Sequence, residues 1–223
     1  MMINEFETQY VSNTYIDIAK HFSSTRYAHW NSVKKYLESL EEEYIDLKDN
    51  KNFLDFGCGN GKYLSLVEKF NVYAVDNCDK LLNIVNQIYP NVKTIKADVC
   101  DNLNFMNLEP EFFDSIISVA VIHHLSTEYR RIRVLENIFS LLKSGGTCLI
   151  TVWANQIDKS KFIKLNNFND YLISWNNKYQ RYYHLFEIDE LDKLIHKTNM
   201  SDRIKILSKE LECNNIIYII KKN

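Results

Sequence analysis

Glycine placement constrains this 223-residue chain more than any other feature. Only five glycines are present, in two places: Gly57, Gly59 and Gly61, then Gly145 and Gly146. A residue that averages ~7% elsewhere is kept here for positions where backbone geometry demands it. The first cluster lies in residues 52–63, NFLDFGCGNGKY. Phe53, Leu54 and Phe56 predict a short buried parallel strand. After Lys62, the residues Tyr63, Leu64, Leu66, Val67 and Phe70 predict a helix packed on a sheet. The reading is strand, glycine loop, helix. Such a loop admits a ligand to the backbone, and the helix N-terminus offers free N–H groups.

Spacing narrows the ligand. A dinucleotide fingerprint is G-x-G-x-x-G, whereas this chain carries G-x-G-x-G preceded by Asp55. A phosphate loop needs a first glycine where Phe56 stands and a Ser or Thr where Tyr63 stands. The pattern D-x-G-x-G-x-G resembles the first motif of class I S-adenosylmethionine methyltransferases. A second apolar run, Val72–Val75, ends in Asp76, 19 residues after Gly57, a separation that suits an acid accepting from ribose hydroxyls. A third run, Val92–Ala97, ends in Asp98. Each aspartate alone reads as a loop acid or helix cap; three in register with one glycine loop do not. The resemblance implies that Asp98 meets the adenine amino group, and that Asn77, Val119 and Ala120 join Asp55, Gly57, Gly59, Gly61 and Asp76 around S-adenosyl-L-methionine.

Residues 113–121 predict a fourth strand and 147–153 a fifth, with a helix from about Glu128 to Leu142 between them and Ser144-Gly145-Gly146 as its stop. Strands alternating with helices give an α/β doubly wound, mostly parallel, Rossmann-like sheet. A helix around Glu187–Lys197 then precedes an antiparallel pair, Arg203–Leu207 and Ile216–Ile220. In front, Tyr10–Phe22 and Trp30–Glu43 predict an N-terminal helical cap. The expectation is one domain, with a cap over 1–50, a cofactor core over 51–153, a surface insertion over 154–186, and closing elements over 187–223.

Composition excludes several classes. Twenty-seven Lys and Arg against 29 Asp and Glu leave a net charge of -2, which argues against binding DNA through an overall basic field. No apolar run approaches the roughly 20 residues of a membrane helix, and the first residues lack the pattern of a secretory leader. Five scattered cysteines never form a C-x-x-C pair, so neither a disulfide framework nor a zinc site follows. A reduced, cytoplasmic or nuclear setting does. Adjacent His123 and His124 diverge and seldom chelate one metal; no metal is expected. A Pro-Pro-aromatic turn, typical of exocyclic base amine methylation, and a Pro-Cys pair, typical of base C5 methylation, are both absent.

The segment HFSSTRYAHW, residues 21–30, is similar to the signature of eukaryotic tRNA wobble-uridine methyltransferases, which esterify 5-carboxymethyluridine. Residues 55–63, 118–124 with Ser126-Thr127, Arg130-Arg131, 152–154 and RYYHLF at 181–186 resemble that family too. The resemblance implies catalytic or substrate-pocket roles for Arg26, His124, Trp153, Arg181 and His184, Arg26 holding a carboxylate of cofactor or substrate. It also implies substrate or RNA contacts at Tyr27, Trp30, His123, Arg130 and Arg131. A carboxylate acceptor is ionised at pH 7 and needs alignment and a cation rather than a base; arginine suits that task.

Residues 155–185 carry five basic side chains, among them Lys161, Lys164 and Lys178, against two acids, a local +3 that could track the backbone of a tRNA anticodon loop. Glu38–Asp49, with six acids against Lys48, could not. The resemblance further implies a small zinc-ribbon activator protein paired along strand three, with Val92 and Ile95 in that edge. Two alternatives stay open: a methyltransferase of free carboxylic acids or quinone precursors, and an inactive scaffold of the same fold.

Overall fold

The computed structural model describes residues 5–26, 28–43, 51–166 and 168–223. Ahead of the sheet stand α1 (Glu5–Glu7), a π turn (Thr8–Ser12), α2 (Asn13–Thr25) and α3 (Asn31–Glu43). The core then alternates: β1 (Asn52–Phe56), β2 (Asn71–Asp76), α4 (Asp79–Ile88), β3 (Lys93–Lys96), α5 (Leu103–Met106), β4 (Phe113–Val119), α6 (Glu128–Leu141) and β5 (Leu142–Trp153). Three short strands follow, β6 (Phe162–Lys164), β7 (Asp170–Trp175) and β8 (Tyr179–His184), then α7 (Glu190–His196), β9 (Ile204–Glu212) and β10 (Asn215–Lys222).

The main sheet runs in the order β3-β2-β1-β4-β5-β10-β9. Strands β1 to β5 pair in parallel, and β10 pairs antiparallel with both β5 and β9. This is the doubly wound, mostly parallel sheet with an antiparallel C-terminal hairpin that the alternating pattern predicts. Buried strands need apolar residues on both faces, and these supply them. Leu54, Ile116, Ile150 and Tyr218 pack on one side with Ile138 of α6 and Leu194 of α7. Phe53, Ile117, Leu149 and Ile217 pack on the other with Leu37 of α3 and Val85 of α4.

Two expectations fail, for reasons of length and pairing. No full helix follows the glycine loop; only a single 3-10 turn forms at Leu64–Leu66. Residues 63–70 would rise ~12 Å as a helix, too little to return along a strand of ~17 Å to the start of β2. The apolar spacing is instead spent in the core, where Tyr63, Leu64, Val67 and Phe70 are buried. The loop is therefore not followed by a helix N-terminus; instead the C-terminal turn of α2 lies against it, with Asn60 Nδ2 donating to the Arg26 carbonyl at 3.2 Å. The second correction concerns 154–186, where 155–166 run over the surface as expected but 170–175 and 181–186 are mostly buried. Its strands form a separate antiparallel sheet, β6-β7-β8, with Tyr171, Ile173 and Tyr183 buried against Trp153. Val92 precedes β3 rather than lying in it, and both Val92 and Ile95 pack partly on the chain's own core.

Candidate functional site

Strand order reverses between β1 and β4, and the crevice beyond the carboxyl ends of such strands is where ligands bind. The chain turns there through Gly57, Gly59 and Gly61 at φ +94°, +54° and +72°. A Cβ at Gly57 would lie 2.3 Å from Val121 Cγ2. The N–H groups of Gly57 and Cys58 both donate to the Val75 carbonyl, at 2.8 and 2.9 Å, tying the loop to β2. Asp76 closes it: Oδ2 accepts from Gly59 N at 2.8 Å and Oδ1 from Cys78 N at 2.9 Å. Each carboxylate oxygen keeps lone-pair capacity, so a vicinal diol can still be held. Burial pushes the Asp76 carboxyl up, and backbone N–H bonds pull it back. Asp55 has less relief: burial, with the Asp76 charge beside it, pushes it up to about 8, opposed by Lys62. Beyond β4, Ala120 holds φ +61° and donates its N–H to Thr151 Oγ1 at 2.9 Å. Val119, Ala120 and Asn77 all line the crevice.

Asp98 also lines it, but not as a bare acid. Arg130 Nη2 donates to both its oxygens, at 2.9 and 2.8 Å, while Arg130 Nε sits 2.9 Å from Glu7 Oε2 as an ion pair without a straight hydrogen bond. Glu7 Oε1 in turn accepts from Ser126 N and Oγ, at 2.6 and 2.7 Å. This buried triad pins the N-terminal segment over the tip of β3. The sequence reading of Arg130 and Arg131 as RNA contacts is therefore corrected. Arg130 is 3% exposed and holds Asp98, and Arg131 is 7% exposed and donates to the Leu125 carbonyl at 2.9 Å. On a helix packed against the core, both guanidiniums turn inward to internal acceptors.

Opposite the glycine loop stands an aromatic wall. Trp153 stacks on Tyr183 (4.6 Å, 22°), and His123 stacks on the same ring (5.0 Å, 24°). His123 Nδ1 accepts from Trp153 N at 3.2 Å. His124 Nδ1 faces the Tyr182 carbonyl at 2.8 Å and Nε2 faces the Tyr15 hydroxyl at 2.9 Å. Burial, and next to it the Arg181 charge, hold His124 down at about 3 against the carbonyl bond that raises it; the imidazole is neutral. Arg181 is 5% exposed. Its guanidinium lies over Trp175 at 4.6 Å and over Tyr183 at 5.1 Å. It has no carboxylate partner among the described residues, and its Nε has no hydrogen-bond partner. Arg26, at the end of α2, lies over the same Trp175 ring at 5.1 Å.

The crevice thus brings together Arg26, Trp30, Asp55, Gly57, Gly59, Asp76, Asp98, His123, His124, Trp153 and Arg181; Gly61, expected beside the cofactor, turns instead toward Leu64 and Val85. It excludes His184, whose expected place in the substrate pocket is corrected. Both ring nitrogens are committed to carboxylates, Nδ1 to Asp170 at 2.7 Å and Nε2 to Glu190 at 2.6 Å. Residue 184 closes β8 with its side chain gripped by β7 and α7. Lys161, Lys164 and Lys178 are exposed on the second sheet, away from the crevice lining. Tyr27, and the acidic run beyond Glu43, lie outside the described residues. Sequence reasoning missed Glu7, Tyr15, Lys62, Trp175 and Tyr183. Tyr15 had a signal, since Val11, Tyr15 and Phe22 share one helical face toward the crevice. Lys62 adjoins the glycine motif, and burial, with the nearby Arg26 charge, lowers it to about 8. Glu7 and Trp175 had none.

A family model described as a methyltransferase domain matches residues 26–202. A tRNA (carboxymethyluridine(34)-5-O)-methyltransferase of Schizosaccharomyces pombe is 32% identical over 98% of this chain and 99% of its own length. Its Saccharomyces cerevisiae namesake is 37% identical over 70% of this chain, which spans 52% of that relative. Among solved structures, an S-adenosylmethionine-dependent methyltransferase of Clostridium acetobutylicum superposes with a TM-score of 0.67 at 15% identity, covering 95% of this chain and 100% of that one, a likeness of fold. A glycine cradle at the switch point, a wall of arginine and aromatic rings, and end-to-end similarity to the fission-yeast protein agree: the chain belongs to the tRNA (carboxymethyluridine(34)-5-O)-methyltransferase family.

Proposed function

We propose that the chain is an S-adenosyl-L-methionine-dependent methyltransferase that esterifies 5-carboxymethyluridine at the tRNA wobble position. The carrying observation is Arg181, a buried guanidinium on an aromatic floor with no acid of its own among the described residues. Burying such a charge is costly unless a partner arrives, and a ligand carboxylate is the partner that its fork fits. The cradle suits the cofactor: side chains are excluded at Gly57, and Asp76 retains acceptor capacity for a ribose diol. When bound, the cofactor supplies a methyl group activated by a sulfonium. Asp55 and Asp76 would stand near its positive end, Arg26 and Lys62 near its carboxylate, and Asp98 near its base.

The residues do no proton chemistry. An ionised acceptor needs no general base, and neutral His124 holds its proton on Nδ1 against a carbonyl. Arg181 anchors one carboxylate oxygen and leaves the other to react. The stack of Trp153, Tyr183 and His123 offers the flat surface on which a flipped uracil is held and keeps water from the acceptor. Esterification removes the acceptor's charge, so the grip of Arg181 weakens in the product.

The zinc-ribbon activator is part of the same proposal. Among the described residues strand β3 is a sheet edge, pairing only with β2, and an edge is a ready template for a partner strand. Ile88 and Phe105, 57% and 74% exposed on the flanking helices, supply apolar contact. A cytoplasmic or nuclear compartment accords with five free thiols. The test is methylation by the complex of wobble-hypomodified tRNA carrying 5-carboxymethyluridine, read by nucleoside mass spectrometry. An alkali-labile methyl ester at the wobble base is expected. Transfer only to free carboxylic acids, or none with cofactor bound, would replace the reading with a small-molecule enzyme or a scaffold.

A further inference from the structure

Tyr15 lies 109 residues from its partner His124, and the bond between them has a fixed sense. The Tyr182 carbonyl can only accept, so His124 Nδ1 carries the proton at that 2.8 Å contact. In the neutral ring, Nε2 is then bare, and at 2.9 Å it must accept from the Tyr15 hydroxyl. With its one proton committed to that bond, the Tyr15 oxygen presents only lone pairs to other groups. Two donors face them, the Arg181 guanidinium and the Tyr183 hydroxyl. Every bond therefore points one way, from Arg181 through Tyr15 and His124 to the backbone of β8, which itself carries Arg181. The rings are packed as well as bonded: Tyr15 meets His124 edge-on at 5.3 Å, and His124 meets Tyr183 at 4.5 Å.

We infer that Tyr15 is a positioning residue that, backed by His124, orients Arg181 and thereby makes the site select a carboxylate over the isosteric carboxamide. The inference rests on the reading of the substrate given above. Its logic is electrostatic. Tyr15 and Tyr183 meet the guanidinium with neutral dipoles, Tyr15 backed by His124, and leave its net charge uncompensated. A carboxylate gains the attraction of opposite charges in addition to its hydrogen bonds, whereas a carboxamide gains the hydrogen bond alone. An aspartate in place of Tyr15 would satisfy the same donors and abolish the preference.

Two measurements on the full chain with its activator test this. Nitrogen-15 spectra of the His124 imidazole should show Nδ1 protonated and Nε2 as acceptor, and in Tyr15→Phe the Nε2 signal should shift. A proton on Nε2 in the wild type would overturn the relay whatever the substrate is. In kinetics, Tyr15→Phe should raise KM for tRNA bearing 5-carboxymethyluridine about tenfold, the loss expected for a charge-assisted bond. The same variant should leave cofactor Kd, and the inhibition constant of tRNA bearing the carboxamide, unchanged. His124→Leu should mimic it without adding to it in the double variant. His124→Gln, which can still accept from Tyr15, should restore the discrimination. Equal losses for carboxylate and carboxamide, or additive effects, would overturn the inference. A wild type that binds cofactor yet methylates neither tRNA would remove the substrate reading instead, with the spectra still deciding the relay.

Discussion

Asp55 shows how a single residue links cofactor binding to pH. Burial, with Asp76 beside it, lifts its carboxyl to about 8 despite the opposing Lys62 charge, so at pH 7 it is mostly protonated until a ligand cation arrives. A sulfonium and an ammonium favour the ionised form, so cofactor binding should release a proton at neutral pH and tighten as pH rises toward 8. Calorimetry in buffers of different ionisation enthalpy would measure this; no proton release would place the donor's positive end elsewhere. Asp76→Ala should weaken cofactor binding by ~1–3 kcal/mol, because it strips both the ligand and Gly59 N of an acceptor. Gly57→Ala combines a left-handed φ with a clash on Val121 and should cost about 2 kcal/mol of stability, partly recovered in a thermal melt by Val121→Ala. At this scale the sequence was legible where function is local: glycines and strand-end acids announce themselves within a few residues. Glu7, bonded 119 residues away to Ser126, and Trp175, which serves two arginines from a strand that read as insertion, carry no such mark.

Among elements, the small sheet and α7 are joined by His184 between Asp170 and Glu190, with Tyr182 also donating to Asp170 at 2.6 Å. The two carboxylate bonds raise His184 despite the burial that opposes them, and the same bonds depress Asp170 and Glu190. The histidine's contribution is complete below its unfolded pKa of about 6.5 and fades as pH climbs through its higher folded value. That of the acids is complete above about 4 and fades as pH falls through their lower folded values. The stability advantage of wild type over His184→Ala should therefore peak in mild acid, at about 3 kcal/mol for a broken buried pair. Melting temperatures across pH would show it, and a flat difference would mean that the imidazole is never charged. Elements were readable where periodicity decides them, as in α6, β4 and β10. The stretch after Lys62 misled because its apolar spacing fits a helix, while the distance back to β2 does not permit one.

Over the whole molecule, a formal charge of -2 with a local basic excess on one small sheet predicts modest tRNA affinity that falls steeply with salt. Lys161, Lys164 and Lys178 replaced together by Ala should flatten the salt slope without altering cofactor affinity; binding assays at two or more salt concentrations would tell. Fold class was legible throughout, because alternation of strands and helices admits few topologies. The assembled site was not, because its wall comes from α2, β5 and β8, which only the tertiary structure brings together. One detail of that wall has a mechanical corollary. The helical cap and the small sheet each lay a guanidinium on the Trp175 indole, so two like charges share one ring at the seam between them. If Arg181 of that pair takes up the substrate anion as proposed above, methylation removes the charge it holds, and the finished transfer RNA meets a weaker clasp than the substrate did.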